Sequence, residues 1–341
     1  MTDNTILVQD AKALLQRVDL SELDKKTILI TGATGLIGTY FVFSIIEAFK
    51  QGIKPKKLSI VFFHSLPFYL EVVRDYDWIE LLQGDLSNDD FVSTIASYDY
   101  IIHLAGYGQP AQFATDPIKT IKLNTTLTMQ LLEKVNQDGK FLFASSSGIY
   151  NGLEKESFTE EDVGTTNTLH PRACYYEGKK CGEVIVNGFR VRGVNAKSVR
   201  LSYTYGPAVR FSDERALYSF IKKAMNGKIE LLDDGSAQRI YCYVLDACVL
   251  MWKILFYGDK EIYNLGGIEI TTILELAQSI GKKMNAKVIV PAVNHSVAGN
   301  HMVERLDMSR TLTQFPITYT SLDDGLDRTI AWYKSNYGDM F

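Results

Sequence analysis

A tyrosine and a lysine four residues apart, Tyr175 and Lys179, could together carry acid–base chemistry. Residues four apart on a helix share one face, so both side chains can point into the same cleft. A lysine ammonium beside a phenol favours the phenolate and lowers the tyrosine pKa from about 10 toward neutrality, which makes Tyr175 a candidate general base. Tyr176 and Lys180 repeat the spacing, so the residues alone leave both pairs open.

A serine cluster, Ser145–Ser147, directly follows the β-rich segment 140–144. A hydroxyl there would lie at the carboxyl end of a strand, which is where parallel sheets bind their ligands. Together with Tyr175 and Lys179 it forms a set suited to taking the proton of an alcohol while hydride leaves the same carbon. We therefore expect redox chemistry on a small, phosphorylated substrate with a nicotinamide dinucleotide.

The glycine loop Gly32-x-x-Gly35-x-x-Gly38 lies between a short apolar strand, 27–31, and an apolar-rich helix, 36–50. The first glycine allows a sharp turn, the second lets backbone approach a pyrophosphate, and the third lets the helix lie close to the sheet. The helix N-terminus adds free N–H groups and a partial positive charge. This placement predicts a dinucleotide-binding turn.

The adenosine end of that cofactor site lacks the usual acidic residue. In NAD-binding proteins an acidic residue usually ends the second strand and holds the ribose hydroxyls, but the stretch here is Phe63-His64-Ser65. No Arg or Lys follows within the next eight residues, so a 2′-phosphate has no evident partner either. His64 and Ser65 are either ribose ligands or plain surface residues. Asp85 is either an adenine contact or a turn residue.

Short apolar strands alternate with helices over the first two thirds of the chain, which favours a parallel sheet covered on both faces. The sequence predicts an α/β fold, namely a Rossmann-type doubly wound parallel sheet with a smaller, interleaved C-terminal substrate-binding region. We expect strands at 27–31, 58–63, 100–104, 140–144 and 196–201 and one ending at residue 82, and helices at 6–18, 36–50, 117–135 and 173–192.

The predicted organisation has three parts. Residues 1–25 form an N-terminal helical extension that packs on the outside. Residues 26–205 form the dinucleotide-binding part, to which a segment of about 241–265 returns. Residues 206–341 form most of the substrate-binding region, because the βα rhythm breaks after residue 205 without a Pro/Gly/Ser-rich linker.

The bulk composition excludes several function classes. The net charge of −4 comes from interspersed charges, which argues against nucleic-acid or membrane-surface binding. There is no apolar run of 18 residues and no basic leader ahead of an apolar segment, so we expect a non-secreted protein in the cytoplasm. The four cysteines lack C-x-x-C spacing, and we expect neither a metal site nor a disulfide framework.

Several ordered motifs resemble those of the extended short-chain dehydrogenases/reductases, in the NAD-dependent nucleotide-sugar epimerase/dehydratase family. They run from about residue 26 to 335 and read TGATGLIG, HLAGYGQP, DPIKTIKLNT, PRACYYEGKK, TYGP, AQRIYCYV and YNLGG. Within that family the sequence is most similar to the UDP-glucuronate decarboxylase branch. The resemblance implies that Tyr175 and Lys179, not Tyr176 and Lys180, are catalytic, together with Ser146.

The resemblance also implies ligands and their contacts. NAD is the implied cofactor, with NADP not excluded, and a nucleotide-diphosphate sugar is the implied substrate. The implied cofactor-binding residues are Gly32, Gly35, Leu36, Ile37, Gly38, Asp85, Leu86, Leu104, Ala105, Gly106, Asn124, Tyr175 and Lys179. The implied substrate-binding residues are Ser147, Arg215, Arg239 and Arg305. Helices at 117–135 and 173–192 would pair in a homodimer, with Val184, Val186 and Phe189 as candidate apolar contacts.

The sequence departs from its family beside the catalytic serine. Dehydratases and decarboxylases of the family carry acidic residues directly after the catalytic Ser/Thr, whereas this chain has Ser147 and Gly148. Eliminating water across C5 and C6 of a sugar requires a base and an acid, and neither residue titrates usefully. An asparagine that touches substrate in the family is Tyr203 here, which predicts a reshaped sugar pocket.

The leading hypothesis is therefore hydride transfer at sugar C4, as in a 4-epimerase or a 4-ketoreductase/dehydrogenase, with Tyr175 as acid/base. One alternative is a nucleotide-sugar 4,6-dehydratase or a UDP-glucuronate decarboxylase-type enzyme whose acid comes from elsewhere in the chain. A second alternative is a dinucleotide-binding regulator without catalysis.

Overall fold

The computed structural model describes residues 3–291 and 305–340. The strands of this part of the chain are Thr27–Thr31 (β1), Lys57–Phe62 (β2), Ile79–Gln83 (β3), Tyr98–His103 (β4), Val135–Ser146 (β5), Asn195–Leu201 (β6), Tyr203–Tyr205 (β7), Lys228–Glu230 (β8), Gln238–Tyr243 (β9), Ile262–Leu265 (β10), Ile270–Thr272 (β11) and Lys287–Ile289 (β12).

Helices separate most of these strands. They are Thr5–Leu15 (α1), Leu36–Lys50 (α2), Asp89–Thr94 (α3), Pro110–Thr115 (α4), Pro117–Asn124 (α5), Thr126–Leu132 (α6), Ala173–Val191 (α7), Ala216–Met225 (α8), Val244–Tyr257 (α9), Ile273–Met284 (α10), Ser309–Gln314 (α11) and Leu322–Tyr337 (α12). Short 3₁₀ turns occupy Ser21–Leu23, Phe68–Asp75, Ser147–Tyr150 and Gly338–Met340.

Seven parallel strands form the main sheet, in the order β10-β6-β5-β4-β1-β2-β3. The chain begins in the middle at β1, moves outward to β3, and then returns across β1 to β4. This reversal leaves a crevice at the carboxyl ends of β1 and β4, where doubly wound folds bind dinucleotides. The predicted α/β class and doubly wound sheet are confirmed.

Alternate residues of the central strands enter two different apolar layers. In β1, Ile28 and Ile30 join the layer under α1, α2 and α9, whereas Leu29 faces the layer under α5, α6 and α7. In β5, Leu142 faces the first layer, and its neighbours Phe141 and Phe143 face the second. Because both faces of the sheet are buried, the strands read as nearly continuous apolar runs.

The later part of the chain contributes both to the main sheet and to the smaller C-terminal region. Strands β7, β9 and β11 form a three-stranded sheet, and β8 pairs with β12. From β9 the chain returns through α9, which packs on α2, to β10 at the edge of the main sheet. The boundaries of the three predicted parts stay a prediction, but this path shows how two regions share one chain.

Two predicted elements differ most in their bounds, and the ends of the other predicted elements agree to within three residues. The helix expected over 117–135 is two helices, α5 and α6, which meet at Thr125. Its last residue, Val135, already belongs to β5, which is longer than the expected 140–144. The hydroxyl of Thr125 donates to the carbonyl of Ile121, and such bonds back to the preceding turn often bend helices.

The N-terminal helix α1 is fixed to the fold by a buried carboxylate. Asp10 is fully buried, and its Oδ2 accepts hydrogen bonds from the hydroxyls of Tyr40 at 2.7 Å and Tyr243 at 2.6 Å. Its Oδ1 pairs with the Arg328 guanidinium at 2.9 Å. One side chain therefore joins α1 to α2, β9 and α12. Leu7 and Leu14 of α1 lie in the main apolar layer, so the extension is part of the core.

The cysteines, the potential metal ligands and the helices relate to the expectations from composition. Cys174, Cys181, Cys242 and Cys248 are all free thiols. Among residues 3–291 and 305–340, no group of three or more potential metal ligands is brought together. Within the same ranges no helix combines the length and the apolar character needed to cross a bilayer.

We expect Asp10→Ala to lower the free energy of unfolding by about 2–4 kcal/mol, because two buried hydroxyls and an arginine lose their shared acceptor. Urea denaturation followed by circular dichroism measures this change. The matched control is Asp77→Ala, since Asp77 is exposed, and its effect should stay within about 0.5 kcal/mol. Equal effects of the two substitutions would contradict a stabilising role for the buried carboxylate.

Candidate active site

The glycine turn between β1 and α2 requires glycine at two positions for different reasons. Gly32 has a φ of +71°, and a Cβ there would lie 2.7 Å from the amide nitrogen of Ala105. A Cβ on Gly38 would lie 2.3 Å from the carbonyl oxygen of Gly32. The turn is therefore pressed against both the loop after β4 and the first turn of α2, as a dinucleotide-binding turn requires.

Gly35 lies at the mouth of this turn and fits a phosphate group. Its Cβ position meets only the Gly32 carbonyl oxygen, at 3.3 Å, and otherwise faces open space. Gly35 is the N-cap of α2, whose first turn, starting at Leu36, Ile37 and Gly38, contains no acidic residue. The first amides of a helix lack intrahelical partners and attract anions. The residues present therefore fit a pyrophosphate.

A second part of the predicted cofactor site follows β4. Leu104, Ala105 and Gly106 run beside the glycine turn, and the amide of Leu104 donates to the Thr31 carbonyl at 3.1 Å. A Cβ on Gly106 would lie 3.7 Å from both the Oδ1 of Asn124 and the Nζ of Lys179. That Oδ1 is buried without a hydrogen-bond partner among the described residues. An unpaired buried acceptor beside an ammonium fits a polar ligand bound against Gly106.

The predicted adenosine end of the cofactor site contains a lysine, Lys119, that was not identified from the sequence. Lys119 of α5 pairs with Asp85 at 2.7 Å, and its Nζ lies 4.3 Å from the centre of the Phe63 ring. This ion pair, with hydrogen bonds from Ser87, holds the pKa of Asp85 below its usual value against the opposing effect of burial. A cation thus lies at the end of β2, although no Arg or Lys follows Phe63 within the next eight residues of the sequence. The neighbouring Leu86 packs on the second apolar layer.

The three predicted catalytic residues converge on the carboxyl end of β5. Ser146 is the last residue of β5, and its Oγ accepts a hydrogen bond from the Gly148 amide at 3.1 Å. Tyr175 and Lys179 lie in the first turns of α7, with the Lys179 Nζ 5.9 Å from the centre of the Tyr175 ring. Phe113 of α4 stacks on the Tyr175 ring at 4.7 Å with an 11° angle between planes. The stacking restrains the phenol.

Lys179 is buried, and its environment changes its acid–base properties. Its Nζ donates to the Ala144 carbonyl oxygen at 2.6 Å. Burial lowers the pKa of Lys179 to about 7, and the nearby carboxylate of Glu183 offsets part of that effect. The buried His103, whose Nδ1 contacts the Thr31 hydroxyl and whose Nε2 contacts the Leu123 carbonyl, has its pKa lowered to about 3 by burial and by Lys179. His103 is therefore a neutral structural residue near pH 7.

A buried ion pair lies beneath the catalytic residues and was not found from the sequence. Glu183, one helical turn beyond Lys179, pairs with Arg200 of β6 at 2.8 Å and accepts a 2.5 Å hydrogen bond from the Ser145 hydroxyl. Arg200 also donates to the Tyr150 hydroxyl at 2.8 Å. Because the charge of Glu183 is neutralised and its oxygens are occupied, we assign it to positioning α7 against β5 and β6.

The four candidate substrate-binding residues do not all lie together. Arg239 of β9 makes no salt bridge within the described residues, and its guanidinium lies 5.7 Å from the centre of the Tyr203 ring. Arg215 instead forms a bidentate pair with the buried carboxylate of Asp213, with a shortest distance of 2.8 Å. Both arginines lower the pKa of Tyr241, although its burial raises it more strongly. Arg239 and Arg215 therefore share one region.

The other two candidate substrate-binding residues are Ser147 and Arg305. Ser147 is buried in the turn after β5, next to Ser146. Arg305 is exposed, and its backbone carbonyl accepts from the Phe158 amide. No contact within the described residues links Arg305 to Arg215 or Arg239. The single-chain structure thus supports Arg239 and Arg215 as neighbours and leaves Arg305 apart.

The doubly wound sheet, the glycine turn and the arrangement of Ser146, Tyr175 and Lys179 are those expected of the extended short-chain dehydrogenase/reductase class. A profile of the NAD dependent epimerase/dehydratase family matches residues 28–266. The chain belongs to this family, and the resemblance seen in its motifs is confirmed.

Known proteins of the family are similar over most of the chain. UDP-glucuronic acid decarboxylase 1 of Danio rerio is 32% identical over 267 residues, which cover 76% of this chain and 61% of that protein. An epimerase structure from Methanothermobacter thermautotrophicus has a TM-score of 0.79 and 21% identity, covering 99% of this chain and 98% of that one. A dTDP-glucose 4,6-dehydratase from Streptomyces venezuelae, solved with NAD, has a TM-score of 0.76 and 22% identity, covering 92% and 98%.

The buried Lys179 makes stability depend on pH. Its folded-state pKa of about 7 lies below the ordinary 10.5, so above pH 7 the unfolded chain binds more protons at this residue than the folded protein. The stability of the wild type relative to Lys179→Met should therefore rise by roughly 2 kcal/mol between pH 7 and pH 9. Denaturant unfolding at both pH values measures the change.

The matched control is Lys180→Met. Lys180 is only partly buried and pairs with Glu177 at 2.8 Å, so its removal should leave the pH slope unchanged. A constant difference between the wild type and Lys179→Met across this range would contradict the assignment of a depressed lysine pKa.

Proposed function

We propose that this protein binds NAD and a nucleotide-diphosphate sugar and transfers hydride at sugar C4, as a 4-epimerase or a 4-ketoreductase/dehydrogenase. The observation that carries the proposal is that Ser146, Tyr175 and Lys179 surround the carboxyl end of β5 while the position beside Ser146, Gly148, has no side chain. The site has the groups for one hydride exchange, and the two positions after Ser146 carry neither an acid nor a base.

Tyr175, Ser146 and Lys179 would each have a separate role in this reaction. Tyr175 removes the proton of the C4 hydroxyl as the alcohol becomes a ketone, and returns a proton when the ketone is reduced. Ser146 donates a hydrogen bond to the reacting oxygen. Lys179 stabilises the phenolate of Tyr175 by its positive charge. The bound dinucleotide supplies the hydride acceptor and donor.

The substrate diphosphate would be held by Arg239. Its guanidinium has no carboxylate partner among the described residues, and a planar fork of donors suits phosphate oxygens. Arg215 is less suitable, because Asp213 already occupies it with a bidentate pair. Tyr203, which lies against Arg239, would form a wall of the sugar pocket.

Decarboxylation is the second candidate. The 32% identity to a UDP-glucuronic acid decarboxylase favours it. A uronic acid oxidised at C4 is a β-keto acid, which can lose carbon dioxide without a base at C5. The same Ser146, Tyr175 and Lys179 would perform the preceding oxidation, so the present site is compatible with this chemistry as well.

The cofactor and the cellular location are also proposals for this chain. NAD is supported by the family to which the chain belongs and by the related dehydratase solved with NAD. Lys119 at the end of β2 is the feature that would have to contact a 2′-phosphate if NADP were used. The four free thiols support a reducing compartment such as the cytoplasm.

A homodimer through α5, α6 and α7 is supported by apolar side chains on their outer faces. Val184 is 70% exposed, Ile118 is 65% exposed and Met129 is 44% exposed. Val186, named from the sequence as a contact, is instead buried in its own chain at 1% exposure, and Phe189 packs on the same apolar layer. The proposed dimer surface therefore consists of Ile118, Met129 and Val184.

The test of the proposed activity is product analysis. Purified protein is incubated with UDP-, dTDP-, GDP- and CDP-hexoses, with their 4-keto derivatives and with UDP-glucuronate, and the products are identified by NMR. We expect C4 epimers or 4-hydroxyl products. Pentose formation from UDP-glucuronate would establish the second candidate instead, and a 4-keto-6-deoxy product from a plain hexose would overturn both.

In the same assay, we expect Tyr175→Phe to lower turnover by about 10²–10⁴-fold, because the general acid–base group is lost. The matched control is Tyr257→Phe, since Tyr257 is 48% exposed and its neighbour Phe256 contacts Lys140, six residues before Ser146 along β5. A regulator without catalysis would show no turnover in either variant or in the wild type. Unchanged turnover in Tyr175→Phe would remove Tyr175 from the mechanism.

For the dimer, we expect Val184→Glu to convert a particle of twice 38.4 kDa into one of 38.4 kDa in light scattering after size exclusion. A charge placed in an apolar interface loses its hydration without gaining a partner. Leu232→Glu, an exposed apolar position outside these helices with 71% exposure, is the control. A monomeric wild type would contradict the dimer.

A further inference from the structure

Gly148 follows the catalytic Ser146 by two residues, in the 3₁₀ turn Ser147–Tyr150. Its φ lies outside the left-handed region, so the backbone at this position accepts any amino acid. A Cβ built on Gly148 would lie 2.7 Å from the Cδ1 and Cε1 atoms of Tyr176 and 3.3 Å from the Ser146 Oγ. The ring of Tyr176, and not the backbone, therefore requires glycine at position 148.

Tyr176 is fixed in its position. It is 8% exposed and lies in the first turn of α7. Its ring centre is 6.0 Å from that of Tyr175 and 5.9 Å from that of His170. The atoms that would clash with a residue at 148 are ring carbons of a buried side chain, so they cannot move aside like the end of a flexible chain.

The space that a side chain at position 148 would occupy lies next to the proposed reaction site. A side chain at position 148 would start within 3.3 Å of the hydroxyl that contacts the reacting oxygen, so a carboxylate there would reach the carbon next to sugar C4. Once C4 is a ketone, the C5 hydrogen is acidic, and any nearby base can remove it. Tyr176 fills the space in which such a base would have to lie.

We propose that Tyr176 is a specificity-determining residue that limits the reaction to C4 by excluding any acid or base at position 148. The inference rests on the proposed function, because it assumes that a 4-keto sugar forms at Ser146. It concerns a different step, the loss of the C5 proton. The electron pair of that C–H bond would move onto the C4 oxygen as an enolate, and a solvent proton would restore the ketone.

The packing part of the proposal is tested by a double-mutant cycle. Gly148→Ala should lower the Tm by about 2–6 °C when Tyr176 is present, because the added methyl group overpacks the site. In a Tyr176→Ala background the same change should have almost no effect. Tyr176→Phe keeps the ring and should behave like the wild type. Equal effects of Gly148→Ala in all three backgrounds would overturn the proposal.

The chemical part uses dTDP-4-keto-6-deoxyglucose in D₂O, with C5 deuterium incorporation followed by NMR. The wild type and Gly148→Glu, in which Tyr176 still blocks the space, should exchange C5 at the uncatalysed rate. The double variant Gly148→Glu/Tyr176→Gly should accelerate the exchange at least about tenfold. Catalysed exchange by the wild type, or no gain in a folded double variant, would overturn the assignment of Tyr176.

A second readout separates this inference from the proposed function. Oxidation of NADH at 340 nm in the presence of the same 4-keto sugar reports reduction at C4. If the wild type reduces the ketone and the double variant shows no gain in C5 exchange, the role of Tyr176 is wrong and the proposed function stands. If the double variant gains C5 exchange while the wild type reduces none of the 4-keto sugars, the role of Tyr176 stands and the proposed reduction at C4 is wrong.

Discussion

The carboxylate of Glu183 holds helix α7, which carries the predicted catalytic Tyr175 and Lys179, against the sheet. It pairs with Arg200 of β6 and accepts from the Ser145 hydroxyl of β5, so one buried group joins α7 to two neighbouring strands. Lys179, one turn earlier, adds a bond to the Ala144 carbonyl of β5. Because these contacts fix both the position and the rotation of α7, they also fix where Tyr175 and Tyr176 leave the helix relative to β5.

The burial of these charges also sets the electrostatics of the site. The pairing of Glu183 with Arg200 neutralises that carboxylate, while Lys179 has a pKa lowered by burial. A buried cation that is poorly compensated is stabilised by any negative charge that forms beside it. A negative charge that formed beside Lys179 would therefore be stabilised by it, while the neighbouring His103 is held neutral.

The sequence correctly predicted those strands and helices whose formation depends only on residues close together in the chain. Strand β1 and helix α2 have the predicted bounds, since a β-rich run, a glycine turn and an apolar helix follow one another directly. Lys119 could not be placed beside Asp85 and Phe63, because the sheet order brings together residues far apart in sequence. The pair of Glu183 and Arg200 was missed for the same reason. Val186 was assigned to a dimer surface because its helical face cannot be read without knowing which layer covers it.

Asp10 and its partners have a consequence for how the chain folds. The carboxylate is 233 residues from Tyr243 and 318 residues from Arg328 in sequence. At synthesis rates of roughly 5–20 residues per second, the first helix leaves the ribosome some tens of seconds before its last partner exists. Until β9 and α9 have been synthesised, α1 can pack on α2, and the Asp10 carboxylate can accept only from the Tyr40 hydroxyl. The buried carboxylate therefore gains its last native partner, Arg328, only after α12 has been synthesised.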